Sequence, residues 1–591
     1  MNDAAALREA AEALQSGRAD HALRLLEPIV ASQPGHFDAQ RGLALALASL
    51  GRFAEAEAAF RRVLSLRPDD HGSRLNLARV LLADGRADAA LPLLAAVVEA
   101  RPDHRGARAQ LAAGLAERGR WADVLTVTDE DPEPFRALRM RALALCAREA
   151  EAIAEGLAAP RLQPGELAEL GTLLHQARRY AEAEAVLDRA VAAGVDGAAV
   201  RLLLGKTRFY LGRFDEAADA FRRVLEVEPG QPTALYELAQ LDWMRSGDAA
   251  SSLAAIRVHR DQRLDDPAAW RLLVRSTLFA EGPEAALELA EAAAARFVGS
   301  APALVDVARL AAEAGQGEKA LASAEAARRI AGDDESVLHV LTIARLAVGD
   351  GSGAAQSAVE LRRRRPLDQL AAALEATAWR LTDDPRYAEV YDYGAFVREA
   401  FIEAPPGWSS RQGFLADLSV RLTELIGFAA PPFDQSLRDS GQTTQDLIGL
   451  KDPVIDALLG ELGRLVQAHV DGLGTGQDLL RSRNTGRWAF SGAWAVLQRA
   501  GGRHVDHVHP AGWLSSAFYV HVPDTALDSG HDGWIKFGEP GVATRPALPP
   551  ERFVRPEAGK LVLFPSYMWH GTVPFTGDDT RLTFAFDVVP A

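Results

Sequence analysis

The sequence predicts a multi-domain chain: an all-α array of stacked helix pairs, followed by an α+β domain whose core is a small β-sandwich or barrel of the jelly-roll kind. Three observations predict it. A Gly-Arg pair recurs at 17–18, 51–52, 85–86 and 119–120, a step of 34 residues each time. The recurrence cannot be continued beyond residue 386, where aromatics and paired prolines enter in "RYAEVYDYGAFVREAFIEAPPGW". From Trp488 onward, short strand-like segments follow one another between Gly-, Pro- and Asp-rich turns. A chain of 591 residues also exceeds what one hydrophobic core organises.

Composition narrows the partners. With 65 Lys+Arg against 81 Asp+Glu the net charge is −16, which opposes tight non-specific binding to nucleic acid or to an acidic membrane. The first residues lack a basic stretch followed by an apolar core, and no long uncharged apolar run occurs, so a cytoplasmic protein is expected. A lone Cys146, in "ALALCAREA", excludes an intrachain disulfide and a cysteine-rich metal cluster; its Ala/Leu surroundings predict a buried helix position.

Along the array, Pro34, Pro68 and Pro102 keep the same step as the Gly-Arg pairs, and "LGRFDEAADAFRRVLEVEPG" (211–230) nearly duplicates "LGRFAEAEAAFRRVLSLRPD" (50–69). Ala and Leu recur with helical spacing, Gly ends the first helix of each unit at positive φ, and Pro prevents the second from continuing. This pattern resembles the tetratricopeptide repeat, which implies a superhelix whose concave face takes a peptide or another protein. Weaker units follow through Ser246, Gly282, Gly315/Gly317 and Gly349/Gly351 to Pro366. Between Gly119 and Arg178 there is less than two full periods, interrupted by "TDEDPEPF". Residues 1–385 are therefore expected as repeats with an irregular unit near 125–165.

Residues 386–485 are expected as a helical linker and support region, with helices over 410–427 and 453–471 and a polar loop, "PPFDQSLRDSGQTTQDL", between them. Residues 486–591 are expected as the strand-built core. Six of the 14 histidines (His504, His507, His509, His521, His531 and His570) fall between 504 and 570. Neutral imidazole is a common ligand for divalent iron and zinc, and histidines one residue apart at a strand end can share a cavity. His570 follows a strong strand; Arg581 and Thr583 lie on one face of the last strand, "RLTFAFDVV".

These residues resemble the double-stranded β-helix oxygenases that use Fe(II), 2-oxoglutarate and O2. More closely, "HVHPAGWLSSAFYV", "GWIKFGEP", "GKLVLFPSYMWHGTVPF", "RLTFAFDVVP" and, upstream, "SLRDSGQTTQ" resemble the 2-oxoglutarate oxygenase domain often joined to tetratricopeptide repeats. The superfamily pattern, His-x-Asp with a distal His, would map to His504, Asp506 and His570. The closer subfamily shares H-x-H-P followed by a Ser-rich strand, which maps to His507, His509 and Pro510. We favour His507, His509 and His570 as metal ligands, with His504 and Asp506 as the alternative proximal pair; in the favoured register Asp506 would orient an imidazole. The resemblance further implies Arg581, helped by Thr583, as the partner of the far carboxylate of 2-oxoglutarate. Tyr519 is either a cosubstrate contact or plain core. The activity expected is hydroxylation of a protein or peptide recruited by the repeats. Two other readings stand: a scaffold with an inactive barrel, and a small-molecule hydroxylase whose repeats serve assembly.

Overall fold

In the computed structural model, residues 3–129, 131–427, 430–433, 437–524 and 530–591 are described. The chain forms two compact units, one of residues 1–177 with 185–195, the other of residues 178–184 with 196–591.

The first unit is built of helix pairs: Asp3–Gln15 with Ala19–Ser32, Phe37–Ser49 with Phe53–Leu66, His71–Ala83 with Ala87–Ala100, and Arg105–Glu117 with Trp121–Thr128. Gly17, Gly51, Gly85 and Gly119 sit between the members of each pair with φ between +69° and +75°. A Cβ at the first three would meet nothing within 4 Å, so the backbone angle and not crowding demands glycine there. The starts of the helices are periodic too: His36, Asp70 and His104 each accept a hydrogen bond from the amide three residues on. In the irregular stretch the helices Trp121–Thr128, Arg136–Leu145 and Glu149–Ala158 are shortened, and the tight turns at Ala147 and, in the following pair, at Arg178 have φ of 59° and 58°. Neither residue announces a left-handed turn, which is why the repeat loses its sequence signature there. Cys146 is half-buried and caps the end of helix Arg136–Leu145, rather than lying buried within a helix as expected.

The second unit continues with helix pairs from Ala198–Tyr210 to Gln369–Leu381. Pro232, Pro267 and Pro283 open helices at the one position where a missing N–H costs nothing. The sheet portion has nine strands among the described residues: β1 (Arg398–Phe401), β2 (Leu437–Gln442), β3 (Trp488–His504), β4 (Leu514–His521), β5 (Ile535–Phe537), β6 (Arg552–Val554), β7 (Lys560–Pro565), β8 (His570–Thr572) and β9 (Arg581–Pro590). They make a six-stranded sheet in the order β1-β7-β4-β9-β3-β2 and a three-stranded sheet in the order β6-β5-β8, antiparallel throughout.

Two differences from the sequence reading concern residues 386–485. Helices Arg411–Leu425 and Pro453–Leu473 form there, but so do β1 and β2, which are the two edges of the six-stranded sheet. β2 lies inside the stretch read as a polar loop, residues 434–436 of which fall outside the described residues. Edge strands carry the weakest alternation, because only one flank is paired and polar residues are tolerated. The change of composition at 386 also lies within the second unit, not at its border. One apolar core runs from Val274 and Leu341 of the repeat helices through Trp379 to Phe518, Phe564 and Phe584 of the sheet. Helix Gln369–Leu381 is the junction: Arg380 bonds the Gly538 carbonyl at 2.8 Å, and Trp569 Nε1 donates to Thr377 at 2.9 Å. No described helix is long and apolar enough to cross a membrane.

Candidate metal centre

After β3 the chain turns at His504 and runs antiparallel to the segment leading into β8. His507 and His570 exchange backbone hydrogen bonds of 2.9 and 3.1 Å, and the His509 amide donates to the Ser566 carbonyl at 3.0 Å. Extended residues two apart face the same side, so His507 and His509 both turn toward His570. Ring centroids lie 4.3 Å apart for His507 and His570, and 5.1 Å apart for His509 with either partner. One nitrogen from each ring falls within 4.8 Å of the others.

The far side of each ring decides how the ring is oriented. His507 Nδ1 lies 2.8 Å from the Val505 carbonyl and His570 Nδ1 2.9 Å from the Met568 carbonyl. His509 Nδ1 lies 2.6 Å from Asp587 Oδ1. Carbonyl and carboxylate oxygens only accept, so each Nδ1 carries a proton. His507 Nε2 and His509 Nε2 face each other at 3.1 Å. Two ring nitrogens that close share a cation, either a proton or a metal ion, between them. Burial bears on this choice: it lowers the His507 pKa to about 3, with His509 nearby contributing, and holds His570 well below its ordinary value. Burial thus favours neutral His507 and His570, and the oxygen behind each of the three rings fixes its orientation, as a divalent metal requires.

Asp587 was not singled out by sequence. It accepts from Ser515 Oγ at 2.7 Å as well as from His509, and Ser515 in turn contacts Ser566 Oγ at 2.9 Å. Its signal was present: Asp587 stands on the same face of β9 as Arg581 and Thr583, and Ser515 opens the Ser-rich strand, but only the pairing of Ser515 with Asp587 in register joins them. The alternative pair behaves differently. Asp506 turns to the other side, where its Oδ2 accepts from Lys536 Nζ at 2.8 Å, and burial raises its pKa to about 6 against that bond. It orients no imidazole; Asp587 has that place. The His504 ring stacks 5.8 Å from His507 but is outside the converging trio, and its amide is held by Thr572 Oγ1 at 2.9 Å.

Arg581, Thr583 and Tyr519 come together on adjacent strands, with Tyr519 opposite Thr583 in the β4–β9 pairing. Arg581 is 2% exposed and gives Nη1 to the Gly533 carbonyl, while its Nε has no partner. Burial lowers its pKa, with Tyr519 acting the other way and no carboxylate among the influences. The Tyr519 hydroxyl is also buried without a partner, and burial pushes its pKa to about 12. Thr583 Oγ1 has only a 3.5 Å approach to the Val496 carbonyl. A buried guanidinium beside an unsatisfied hydroxyl is costly, and an incoming carboxylate would satisfy both. Orphaned donors and converging lone pairs line one cavity of about 1170 Å³, so the chain's residues fit both a divalent metal and a dicarboxylate. His521, by contrast, faces Asp579 at 3.3 Å and His531 stacks on Phe553 at 3.8 Å, both exposed, while Trp513 and Trp569 are core.

Comparison with known proteins agrees with this chemistry. The family model described as "Putative 2OG-Fe(II) oxygenase" matches residues 492–587, and tetratricopeptide repeat models match residues 7–71, 47–115 and 202–267. The chain thus carries tetratricopeptide repeats and, toward its C-terminus, a domain of that oxygenase family. No curated protein matches it. Among solved structures, "Structure of Naa15/Naa10 bound to HypK-THB" is 18% identical over 67% of this chain and 68% of that one, at a TM-score of 0.30. "Crystal Structure of the Yeast Tom70" is 13% identical over 66% of this chain and 97% of that one, at a TM-score of 0.37.

Proposed function

We propose that this chain is an Fe(II)- and 2-oxoglutarate-dependent oxygenase, on a double-stranded β-helix, that hydroxylates a side chain of a protein or peptide brought to it by the repeat helices. The observation that carries the reading is the convergence of His507, His509 and His570, one nitrogen of each within 4.8 Å of the others, each ring held by an oxygen at its Nδ1. In this reading iron held by His507, His509 and His570, together with 2-oxoglutarate, supplies the redox chemistry that places one oxygen atom of O2 in a substrate C–H bond and releases succinate and carbon dioxide.

The protein's part is alignment. Arg581 binds the far carboxylate of 2-oxoglutarate through its unpartnered Nε, a charge-assisted bond strengthened by burial. Tyr519 donates its hydroxyl to the same group, and Thr583 stands beside it on the facing strand. Asp587 holds the proton of His509 at Nδ1 and so fixes the orientation of that ring. The apolar packing of Phe537 and Phe564 around His570 keeps water from that side.

Anaerobic titration with ferrous iron and 2-oxoglutarate tests the reading through the visible charge-transfer band of the ternary complex. The band is expected in the wild type and in His504→Ala, and is expected to be lost in His507→Ala. A band that survives loss of His507 but not of His504 would move the site to the alternative pair. Its absence from the wild type would remove the oxygenase reading.

A further inference from the structure

We infer that the wall of the cavity built by the repeat helices themselves is the substrate-recognition surface, and that it takes an extended polypeptide segment of low net charge bearing aromatic or aliphatic side chains. This rests on the oxygenase reading of the same cavity and adds to it the identity of the second wall.

The cavity is lined by His507, His509, His570 and residues of β9, and also by side chains between residues 178 and 279. On that helical side Tyr180 and Tyr210 stack with centroids 4.9 Å apart. Phe433 is anchored among Tyr236, Trp243 and Phe279 at 5.6–6.3 Å. The Arg275 guanidinium lies over the Tyr236 ring at 4.4 Å, and Tyr210 is 39% exposed. A core helix would bury such rings. Phe433 is buried, but Tyr180, Tyr210, Tyr236 and Phe279 stay partly open and line the same cavity as the metal ligands. Aromatic rings with arginine are the side chains that dominate binding energy in protein–protein contacts.

Charge and size select the occupant. Arg178 is paired with Asp446 at 3.5 Å and Lys206 with Glu237 at 3.4 Å, so the helical wall offers little excess charge to an anion. Neither a nucleic acid nor a strongly acidic peptide is favoured. The volume of about 1170 Å³ exceeds the ~300–1,000 Å³ usual for small-molecule sites. Gln442, Thr444 and Gln445 add polar side chains to the lining that a peptide backbone can hydrogen-bond, whereas the Thr443 hydroxyl is taken by the Ala495 amide. The repeats on this account are not a remote recruiting arm: helices Ala198–Tyr210, Pro232–Ser246 and Pro267–Ala280 contribute side chains, among them Tyr210, Tyr236 and Arg275, to the lining of the active cavity.

The test uses phage-displayed random dodecapeptides panned on the full chain loaded with Mn(II) and N-oxalylglycine, a non-reacting 2-oxoglutarate analogue. Enriched peptides are then synthesised with a fluorophore and titrated by anisotropy. We expect peptides of low net charge rich in aromatic or aliphatic residues, with affinity reduced about tenfold or more by Tyr236→Ala, Tyr210→Ala or Arg275→Ala. Tyr236→Phe, which keeps the ring, should retain binding, as should Val227→Ser, whose side chain is 78% exposed and outside the lining. Thermal melts of each variant separate loss of fold from loss of contact. If no peptide is enriched, or if enriched peptides bind the three alanine variants as tightly as the wild type, the inference falls; an absorption band with ferrous iron and 2-oxoglutarate would show the oxygenase reading intact in that event. Peptide binding through this wall in a chain that gives no such band supports the wall and removes the oxygenase chemistry.

Discussion

At the scale of single residues, the three histidines and Arg581 were legible because chemistry demands their types: imidazoles at the end of one strand, one at the start of another, and a cation on the last. Asp587 was not, because a carboxylate in an alternating strand reads as any other polar position until the register puts it opposite Ser515 and within 2.6 Å of His509. Asp506, adjacent in sequence to His507, drew the role by proximity, yet alternation turns it toward Lys536. The consequence is measurable. Asp587→Asn keeps the shape but replaces a charged acceptor by an amide, and can hold His509 in the wrong tautomer. Metal affinity is expected to fall by roughly 10–100-fold, the usual cost of losing a carboxylate behind a ligating imidazole. Titration with Co(II), followed by its d–d absorption, reads this without turnover; unchanged affinity would mean that Asp587 merely packs.

Among elements, the repeat turns show where sequence signal comes from. Glycine at positive φ is visible because only glycine takes that angle without strain, but the structure places Ala147 in the same conformation at 59°. Ala147 is exposed, so the angle alone is at stake. Ala147→Gly should therefore stabilise the first unit by about 1 kcal/mol, measured as an increase in the denaturation midpoint of that unit. Helix Pro453–Leu473 carries a second test. His469 lies buried on it with an unpartnered Nε2, and burial, with Arg398 nearby, lowers its pKa from 6.5 to about 4. The unfolded chain takes up a proton near pH 6.5 that the folded chain refuses until about pH 4. Stability is accordingly full above the unfolded value and is lost as pH falls through this window, by an amount on the order of 3 kcal/mol at most. His469→Leu should make the fall of the melting temperature between pH 7 and pH 5 shallower, the buried His507 and His570 accounting for what remains; an equally steep fall in the variant would assign the acid sensitivity elsewhere.

For the whole molecule, composition located the strand-rich region but not the unit that folds. The change of texture at 386 reflects where helices give way to strands; the core does not stop there, because Trp379 and the other buried residues of helix Gln369–Leu381 pack into the same cluster as Phe564 and Trp569. Thr377 also holds Trp569, and Arg380 the Gly538 carbonyl and Glu551. A fragment of residues 386–591 would expose that apolar surface to water and lose the Thr377 acceptor of Trp569 Nε1, a large part of the marginal stability of a domain. It is expected to be insoluble or to lack cooperative melting. A fragment of residues 178–591 retains the second unit entire, its helical cavity wall included, and should melt cooperatively and bind ferrous iron with 2-oxoglutarate as the full chain does. Calorimetry of both fragments decides: a cooperative transition in residues 386–591 alone would show that the repeat helices are an appendage to the sheet and not part of its core.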